Sequence, residues 1–341
     1  MKKQITNTLK RRLHIEELRT KYSYNQQLRL EYYNDEFSKH SKHKTLVLDK
    51  ETPIYKGKVR ELYEVYDKND KVDENYLCMR TSDRLSGFDR HLCDVPFKGS
   101  VLTSISKWWF DKLYEYVPNH FINIYNSNTI YTKKCDVIPV EFIVRGYMTG
   151  STQTSIWHNY QLGIRDFCGN QLREGYQKND ALDKIIITPT TKSDEHDLPI
   201  SAKEIVKQGI MTQDDWNTCA KYAMTLFEAG QKICEKRGLI LVDTKYEFGK
   251  DKDGNILLID EVHTPDSSRY WIKHSYEERH NKGEDPDNID KEFIRKWVKK
   301  IYVDPYIKGL DIIIPEELIM EMSSRYLLLH ELITGEELKI I

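Results

Sequence analysis

The run Gly238-Leu-Ile-Leu-Val-Asp243-Thr-Lys245-Tyr-Glu247-Phe-Gly249, continued by Lys250-Asp-Lys-Asp-Gly-Asn255 and by Ile256-Leu-Leu-Ile-Asp260-Glu-Val-His-Thr-Pro-Asp266-Ser-Ser268-Arg269-Tyr-Trp271, is the stretch from which the architecture of this chain follows. Two apolar, β-branched runs flank a short Asp/Gly turn, the pattern of a β-hairpin. Side chains alternate along a strand, so Asp243, Lys245 and Glu247 share one face and Thr244, Tyr246 and Phe248 the other. Pairing Lys250 with Asn255 across the turn puts Asp260 opposite Lys245 and diagonal to Glu247, two carboxylates and an ammonium on one surface. A solvated strand face can carry such charges for solubility alone. The returning strand argues for more, because Ile256 to Ile259 is an unbroken apolar run, as in a strand buried on both sides, and Asp260 ends it. Carboxylates at the rim of a buried sheet are costly unless they hold a cation. Two of them suit a magnesium ion that completes its shell with water and a nucleotide's phosphates. The Asp251-Lys-Asp-Gly254 turn is not a calcium loop, since its glycine comes two positions early for the EF-hand spacing.

The segments 242–249 and 260–271 of this hairpin closely resemble the signature of the phosphoribosylaminoimidazole-succinocarboxamide synthase (SAICAR synthetase) family. Outward from it the chain repeatedly meets the same family. Tyr55-Lys-Gly57-Lys58-Val59-Arg60-Glu-Leu-Tyr-Glu-Val65 reads as one strand, with Lys58 and Arg60 on one side of a glycine, a pattern able to lie over a triphosphate. It resembles the family's nucleotide-covering strand. Arg80-Thr-Ser-Asp83-Arg84-Leu-Ser86-Gly-Phe-Asp-Arg90 has no helix or strand period and reads as a polar loop, either merely exposed or holding a small zwitterion. Its SDRxSxFD pattern resembles the family, with glycine at 87 where many members have alanine. Ser100 to Tyr116 reads as a helix with Leu102, Ile105, Trp108, Trp109 and Leu113 on its core face.

Val137 to Val144 reads as a buried strand opening into Arg145-Gly-Tyr-Met-Thr-Gly-Ser151, where a guanidinium and glycine-freed amides could cradle an anion, or the glycines simply serve a turn. RGYxTGS is a near-verbatim family motif. Gly163 to Asp183 reads as a polar surface excursion, and Ile185 to Ser201, with Lys192, His196 and Asp197, resembles the family's TPxTK and HDxxIS, shortened near Glu195. Thr212 to Arg237 carries helix signals at both ends. Asp290 to Trp297 resembles another family segment, and 311 to 335 suggests a terminal helix capping the second lobe.

Composition bounds these readings. The 341 residues are 31% charged and 39% hydrophobic, as in a soluble globular protein, and a formal charge of -2 gives no general pull toward nucleic acid or a membrane. No segment approaches the roughly 18 apolar residues that span a bilayer, and no secretory signal follows the basic start, so the expected location is cytoplasmic. Six scattered cysteines lack metal or redox spacing and fit a reducing compartment, with Cys78, Cys135 and Cys234 as core fillers. Residues 1–44 hold eleven Lys/Arg against five Asp/Glu, and Ile5, Leu9 and Leu13 lie on one helix face. This extension reads as a helix packing on the body or on another subunit, with an RNA-binding arm as the alternative; the resemblance does not cover it.

The resemblance implies an α+β fold of two lobes with ATP bound in the cleft between them: an N-terminal lobe over 45–136 and a C-terminal lobe over 137–341. It implies ATP-dependent ligation of L-aspartate to carboxyaminoimidazole ribonucleotide (CAIR), giving SAICAR, ADP and phosphate in purine biosynthesis. Chemical reasoning favours an acyl phosphate, because oxide is a poor leaving group; attack of the amine before phosphorylation is the other order. In that frame Lys58, Val59, Arg60, Lys134 and Lys192 contact ATP, Glu247 and Asp260 hold Mg2+, and Lys245 neutralises the moving phosphoryl group. Arg145, Ser151, Asp197, Asp266, Ser268, Arg269 and Arg295 hold the ribonucleotide, and Asp83, Arg84 and Ser86 the aspartate. A small-molecule kinase would keep the glycine strand and the metal hairpin without needing RGYMTGS and PDSSRYW together. A non-catalytic relative would be expected to lose Glu247, Asp260 or Arg269.

Overall fold

The computed structural model describes residues 52–67, 69–192 and 198–339. The basic extension 1–44, and Glu195, His196 and Asp197, lie outside the described residues. Two units of mixed helix and strand emerge, and neither is one continuous segment. Of the described residues, the first takes those up to Lys107, Phe121–Lys134 and those from Phe293 on; the second takes Trp108–His120 and those of Cys135–Glu292.

The first unit is built on an antiparallel sheet with spatial order Tyr55–Lys56, Arg60–Tyr66, Val72–Thr81, Thr129–Lys133, Phe121–Asn126. Alternation buries Tyr63, Val65, Cys78 and Tyr131 together on one face. The single strand expected over Tyr55 to Val65 is instead a hairpin. Lys56 pairs with Glu61, and Gly57 N donates to Arg60 O at 2.8 Å, so 57–59 are a turn, and Lys58 and Arg60 do not share a strand face. The loop expected at 80–90 also folds: Arg84–Gly87 pairs with Arg90–Asp94. Its two turn residues, Phe88 and Asp89, both have positive φ, 54° and 58°, as a two-residue hairpin turn matching strand twist demands. Sequence pattern misses it because phenylalanine is a rare occupant of that conformation.

The helix Glu316–Thr334 packs within this first unit, although the sequence suggested a cap on the second lobe. Ser323 Oγ donates to Pro96 O at 2.8 Å, and Ser104 Oγ lies 2.9 Å from His330 Nε2. Met322, Tyr326 and Leu329 are fully buried. The helix stops at Gly335, whose φ of 79° is the left-handed C-terminal geometry that glycine adopts without strain.

The second unit is organised by the strand Leu239–Lys250. On one side it pairs with Val140–Tyr147 and Asp136–Val137, on the other with Ile256–Ile259 and then Ser268–Ile272, all antiparallel. Such a strand has its backbone groups paired along both edges, which fixes in place the charged side chains Asp243, Lys245 and Glu247 that it carries on one face. The helix Gln213–Lys236 packs against it, with Thr212 Oγ1 accepting from Asp215 N at 3.1 Å as the N-cap. The stretch read as a polar excursion supplies part of a small satellite core: Phe167, Leu172 and Tyr176 bury with Met148, Ile156, Tyr160 and Ile186. The six cysteines are free; Cys78, Cys219 and Cys234 are buried, whereas Cys135 is only half-buried. Among the described residues no helix is long and apolar enough to cross a membrane.

Candidate functional site

The hairpin register differs by one residue from the sequence expectation. Glu247 pairs with Ile259 and Lys250 with Ile256, while Asp251 N donates to Asn255 O at 3.0 Å. The cause is the turn: Asp251 Oδ1 accepts from the amides of Asp253 and Asn255, and Gly254, at φ 81°, takes the left-handed position that closes a three-residue loop. On strict alternation this register would send Asp260 to the face of Tyr246. Asp260 instead leaves the strand with φ 63°, and its charge acts on both Lys245 and Lys192. The expected grouping therefore exists, produced by a left-handed residue rather than by strand alternation.

Within it, Glu247 is the hub. The residue is 7% exposed, and its carboxylate accepts hydrogen bonds from Lys245 Nζ and Lys192 Nζ. Lys245 Nζ also donates to Glu141 Oε1 at 2.8 Å, and Glu141 Oε2 accepts from Thr190 Oγ1 at 3.1 Å. Burial alone would raise the Glu247 carboxyl, but the two ammonium groups outweigh it and hold the acid well below its ordinary range. Burial likewise opposes the charge on Lys245, and Glu247, Glu141 and Asp260 overcome it, so this lysine stays protonated far into the alkaline range.

Four residues along the same strand lies a second charged cluster. Arg145 is 3% exposed and sits in the interior of its strand, paired with Asp243, rather than at a strand end. Its Nε donates to Thr188 Oγ1 at 2.8 Å, and its Nη1 lies 3.4 Å from Asp243 Oδ2. Asp243 Oδ2 also accepts from Arg269 Nη1 at 2.6 Å. Glu292 reaches Arg269 Nη2 at 3.5 Å and accepts from Ser151 Oγ at 2.5 Å. Ser268 Oγ donates to Thr244 Oγ1 at 2.7 Å, and Asp266 lies 4.0 Å from Lys291. Asp290 beneath them accepts from the amides of Tyr270 and Glu292, yet burial and the neighbouring Glu292 push its carboxyl up to about 6. The two buried guanidiniums are balanced by Asp243 and Glu292, and their planar forks have the geometry that pairs with a carboxylate or phosphate.

Of the residues expected to act together, Arg145, Ser151 and Arg269 meet in this cluster, and Lys192, Lys245, Glu247 and Asp260 meet in the first. Ser268 instead bonds Thr244, on the other face of the strand from Asp243, and Asp266 lies near Lys291. Lys58, Val59, Arg60, Lys134, Asp83, Arg84, Ser86 and Arg295 belong to the first unit. There Lys58 Nζ bonds Asp89 at 2.9 Å and Lys134 Nζ bonds Glu74 at 2.8 Å. Asp83 Oδ1 accepts from Gly99 N at 2.8 Å at the start of the helix Lys98–Leu113. Sequence reading gave no role to Glu141, Asp243 or Glu292. Glu141 was legible as the lone charge inside an apolar run; Glu292 pairs with a serine 141 positions away and had no local signal.

Magnesium fits the first cluster on donor chemistry. Glu247 and Asp260 offer hard carboxylate oxygens, and among the described residues no group of three or more His, Cys, Asp or Glu could hold an ion by itself. The pair suits an ion that draws its remaining oxygens from water and phosphate.

A family model described as SAICAR synthetase matches residues 53–308. The chain is 51% identical over 286 residues to a chloroplastic phosphoribosylaminoimidazole-succinocarboxamide synthase of Arabidopsis thaliana, covering 84% of this chain and 67% of the relative. It is 50% identical to the corresponding synthase of Legionella pneumophila, covering 83% and 88%. Among solved structures, a SAICAR synthase from Saccharomyces cerevisiae complexed with SAICAR superposes with a TM-score of 0.70 at 30% identity, covering 85% of this chain and 97% of that one. A SAICAR synthetase in complex with ADP does so with a TM-score of 0.60 at 25% identity, covering 84% and 99%.

Proposed function

The chain belongs to the SAICAR synthetase family, and from that premise we propose that it ligates L-aspartate to CAIR with cleavage of ATP to ADP and phosphate. The observation that carries this reading is the strand Leu239–Lys250, which presents a lysine-ringed carboxylate, Glu247, and a diarginine cluster around Asp243 on one element. The first suits a metal-bound triphosphate and the second an anionic ribonucleotide.

A carboxylate is a poor acyl donor. Transfer of the γ-phosphoryl group to the CAIR carboxylate makes an acyl phosphate; the aspartate amine then attacks that carbon, the C–O bond breaks, and inorganic phosphate leaves as the amine sheds a proton. Such transfer depends chiefly on positioning and charge neutralisation. Glu247 and Asp260 would hold Mg2+, which would supply charge neutralisation for the transferred phosphoryl group. Lys245 and Lys192 supply positive charge beside them. Arg145, Arg269, Ser151, Ser268 and Asp266 orient the ribonucleotide, joined by Asp197 and Arg295 as the resemblance implies. Lys58, Val59, Arg60 and Lys134 contact the nucleotide, and Asp83, Arg84 and Ser86 are the resemblance's contacts for aspartate. The reaction takes place in the cytoplasm.

The test is ADP release by the purified protein with ATP and magnesium, run with CAIR and aspartate together and with each omitted. ADP formation that requires both, with a succinocarboxamide product by mass, is the expected outcome. ADP formation with neither, or none under any condition, overturns the reading.

A further inference from the structure

The turn at 57–59 is held almost entirely from outside itself. Arg84 Nη2 donates to Gly57 O at 3.1 Å, and Arg84 Nε donates to Lys58 O at 3.2 Å. Ser82 covers the next carbonyl, its amide donating to Val59 O at 2.9 Å and its hydroxyl at 2.6 Å. Three consecutive turn carbonyls are thus drawn to the segment 82–84. The guanidinium itself is fixed from the far side, because Arg84 Nη1 donates to Glu61 Oε1 at 2.8 Å and Glu61 Oε2 accepts from Tyr63 OH at 2.9 Å. These bonds use three of the five donors an arginine has.

A trans peptide holds its C=O and the following N–H antiparallel. Pinning the carbonyls of Gly57 and Lys58 toward Arg84 therefore turns the amides of Lys58 and Val59 to the opposite side of the turn. A row of backbone amides on one side of a tight turn is a concave donor surface for an anion. Gly57 accommodates the geometry closely, since a Cβ there would lie 3.2 Å from Arg60 O.

We propose that Arg84, assisted by Ser82, is a positioning residue for the phosphate-bearing substrate: it sets the backbone of the Gly57–Val59 turn and does not bind the amino-acid substrate. The inference rests on the reading that Lys58, Val59 and Arg60 contact the nucleotide, and it departs from the aspartate role that the resemblance gives Arg84. The chemistry it assigns is recognition of a nucleoside triphosphate through a turn whose shape a remote guanidinium maintains.

The experiment is steady-state kinetics of the full chain for the parent, Arg84→Ala, Arg84→Lys and Ser82→Ala, with ATP and aspartate varied in turn, alongside calorimetric binding of ADP to each protein alone. Arg84→Ala is expected to raise KM for ATP and Kd for ADP by about tenfold, the effect of roughly one lost hydrogen bond to a charged group. Arg84→Lys recovers part of that loss, Ser82→Ala moves the same two constants in the same direction, and KM for aspartate stays within about twofold. A rise in KM for aspartate with unchanged nucleotide constants overturns the proposal, as does no change in either. Should Arg84→Ala not fold, the lysine and Ser82 variants decide the matter. ADP binding is read without the other substrates, so a parent that fails to turn over CAIR and aspartate sinks the ligase reading separately from this one.

Discussion

Two carboxylates in the second unit are pushed in opposite directions, and each yields a prediction. Glu247 is held low by Lys245 and Lys192, so the stability it contributes is present above its ordinary value of 4.5 and is lost as pH falls below it. Its replacement, Glu247→Gln, keeps the shape but removes the charge that both lysines and the metal need. Turnover should fall by about two orders of magnitude or more with the fold retained by circular dichroism; parental activity would sink the metal assignment. Asp260→Asn is a cleaner companion, because asparagine tolerates the left-handed φ of 63° that Asp260 adopts. It should unfold at nearly the parental temperature while losing activity to a similar degree. Asp290 runs the other way: burial and Glu292 raise it from 3.8 to about 6, so its contribution is full below about 4 and is lost as pH rises through 6. That loss is on the order of 2–3 kcal/mol. Denaturant unfolding between pH 4 and 7 should show this falling component in the parent and not in Asp290→Asn; identical slopes refute it. At this scale the sequence revealed residue types better than partners. Lys245 beside Glu247 follows from alternation, whereas the bond of Ser151 to Glu292 joins two segments that nothing local connects.

Elements were legible where a period was sustained and ends were marked. The helix Gln213–Lys236 falls within one residue of its reading at each end, because Thr212 caps it and Arg237-Gly238 stops it. The hairpin was legible but its register was not, since a shift of one residue depends on how Asp251 and Gly254 close the loop, not on apolar pattern. The 84–94 hairpin was missed outright because its turn puts Phe88 where asparagine or glycine is expected. Helix propensity also misleads at Gly230. Alanine in a helix interior is favoured over glycine by about 1 kcal/mol. Here a Cβ would fall 2.3 Å from His263 Cε1 and 2.9 Å from Leu241 Cδ2. His263 cannot give way easily: it is fully buried, its Nε2 bonds Tyr246 OH at 2.5 Å, its carbonyl accepts from Tyr270 OH, and Trp109 packs edge-on at 4.6 Å. Gly230→Ala should therefore destabilise by roughly 1–3 kcal/mol, read as a lowered denaturant midpoint at unchanged slope. A stabilised variant would mean that the helix and the His263 loop do not press together as described.

At the scale of the molecule the chain visits its units more than once, a feature no local pattern announces. Contiguous lobes divided near residue 136 are what the resemblance implies, but the segment from Phe293 on returns to the first unit. Arg90 holds that return by donating to Leu310 O at 2.6 Å and Ile307 O at 2.7 Å. The family match ends at residue 308, before the helix Glu316–Thr334 begins. That helix nevertheless buries Met322, Tyr326, Leu327, Leu329 and Ile333, each at most 4% exposed. Burying a large apolar side chain contributes roughly 1.5–3 kcal/mol, so five of them match the 5–15 kcal/mol by which a typical domain is stable. Deleting residues 315–341 should leave the first unit unable to hold its fold, although none of the proposed substrate contacts is removed. The measurable consequence is a chain recovered mainly in the insoluble fraction, or a soluble one whose thermal transition is lost or split. Should the truncated protein melt as the parent does and bind ADP with the parental constant, the helix is an appendage and its burial in the first unit is not what stabilises that unit.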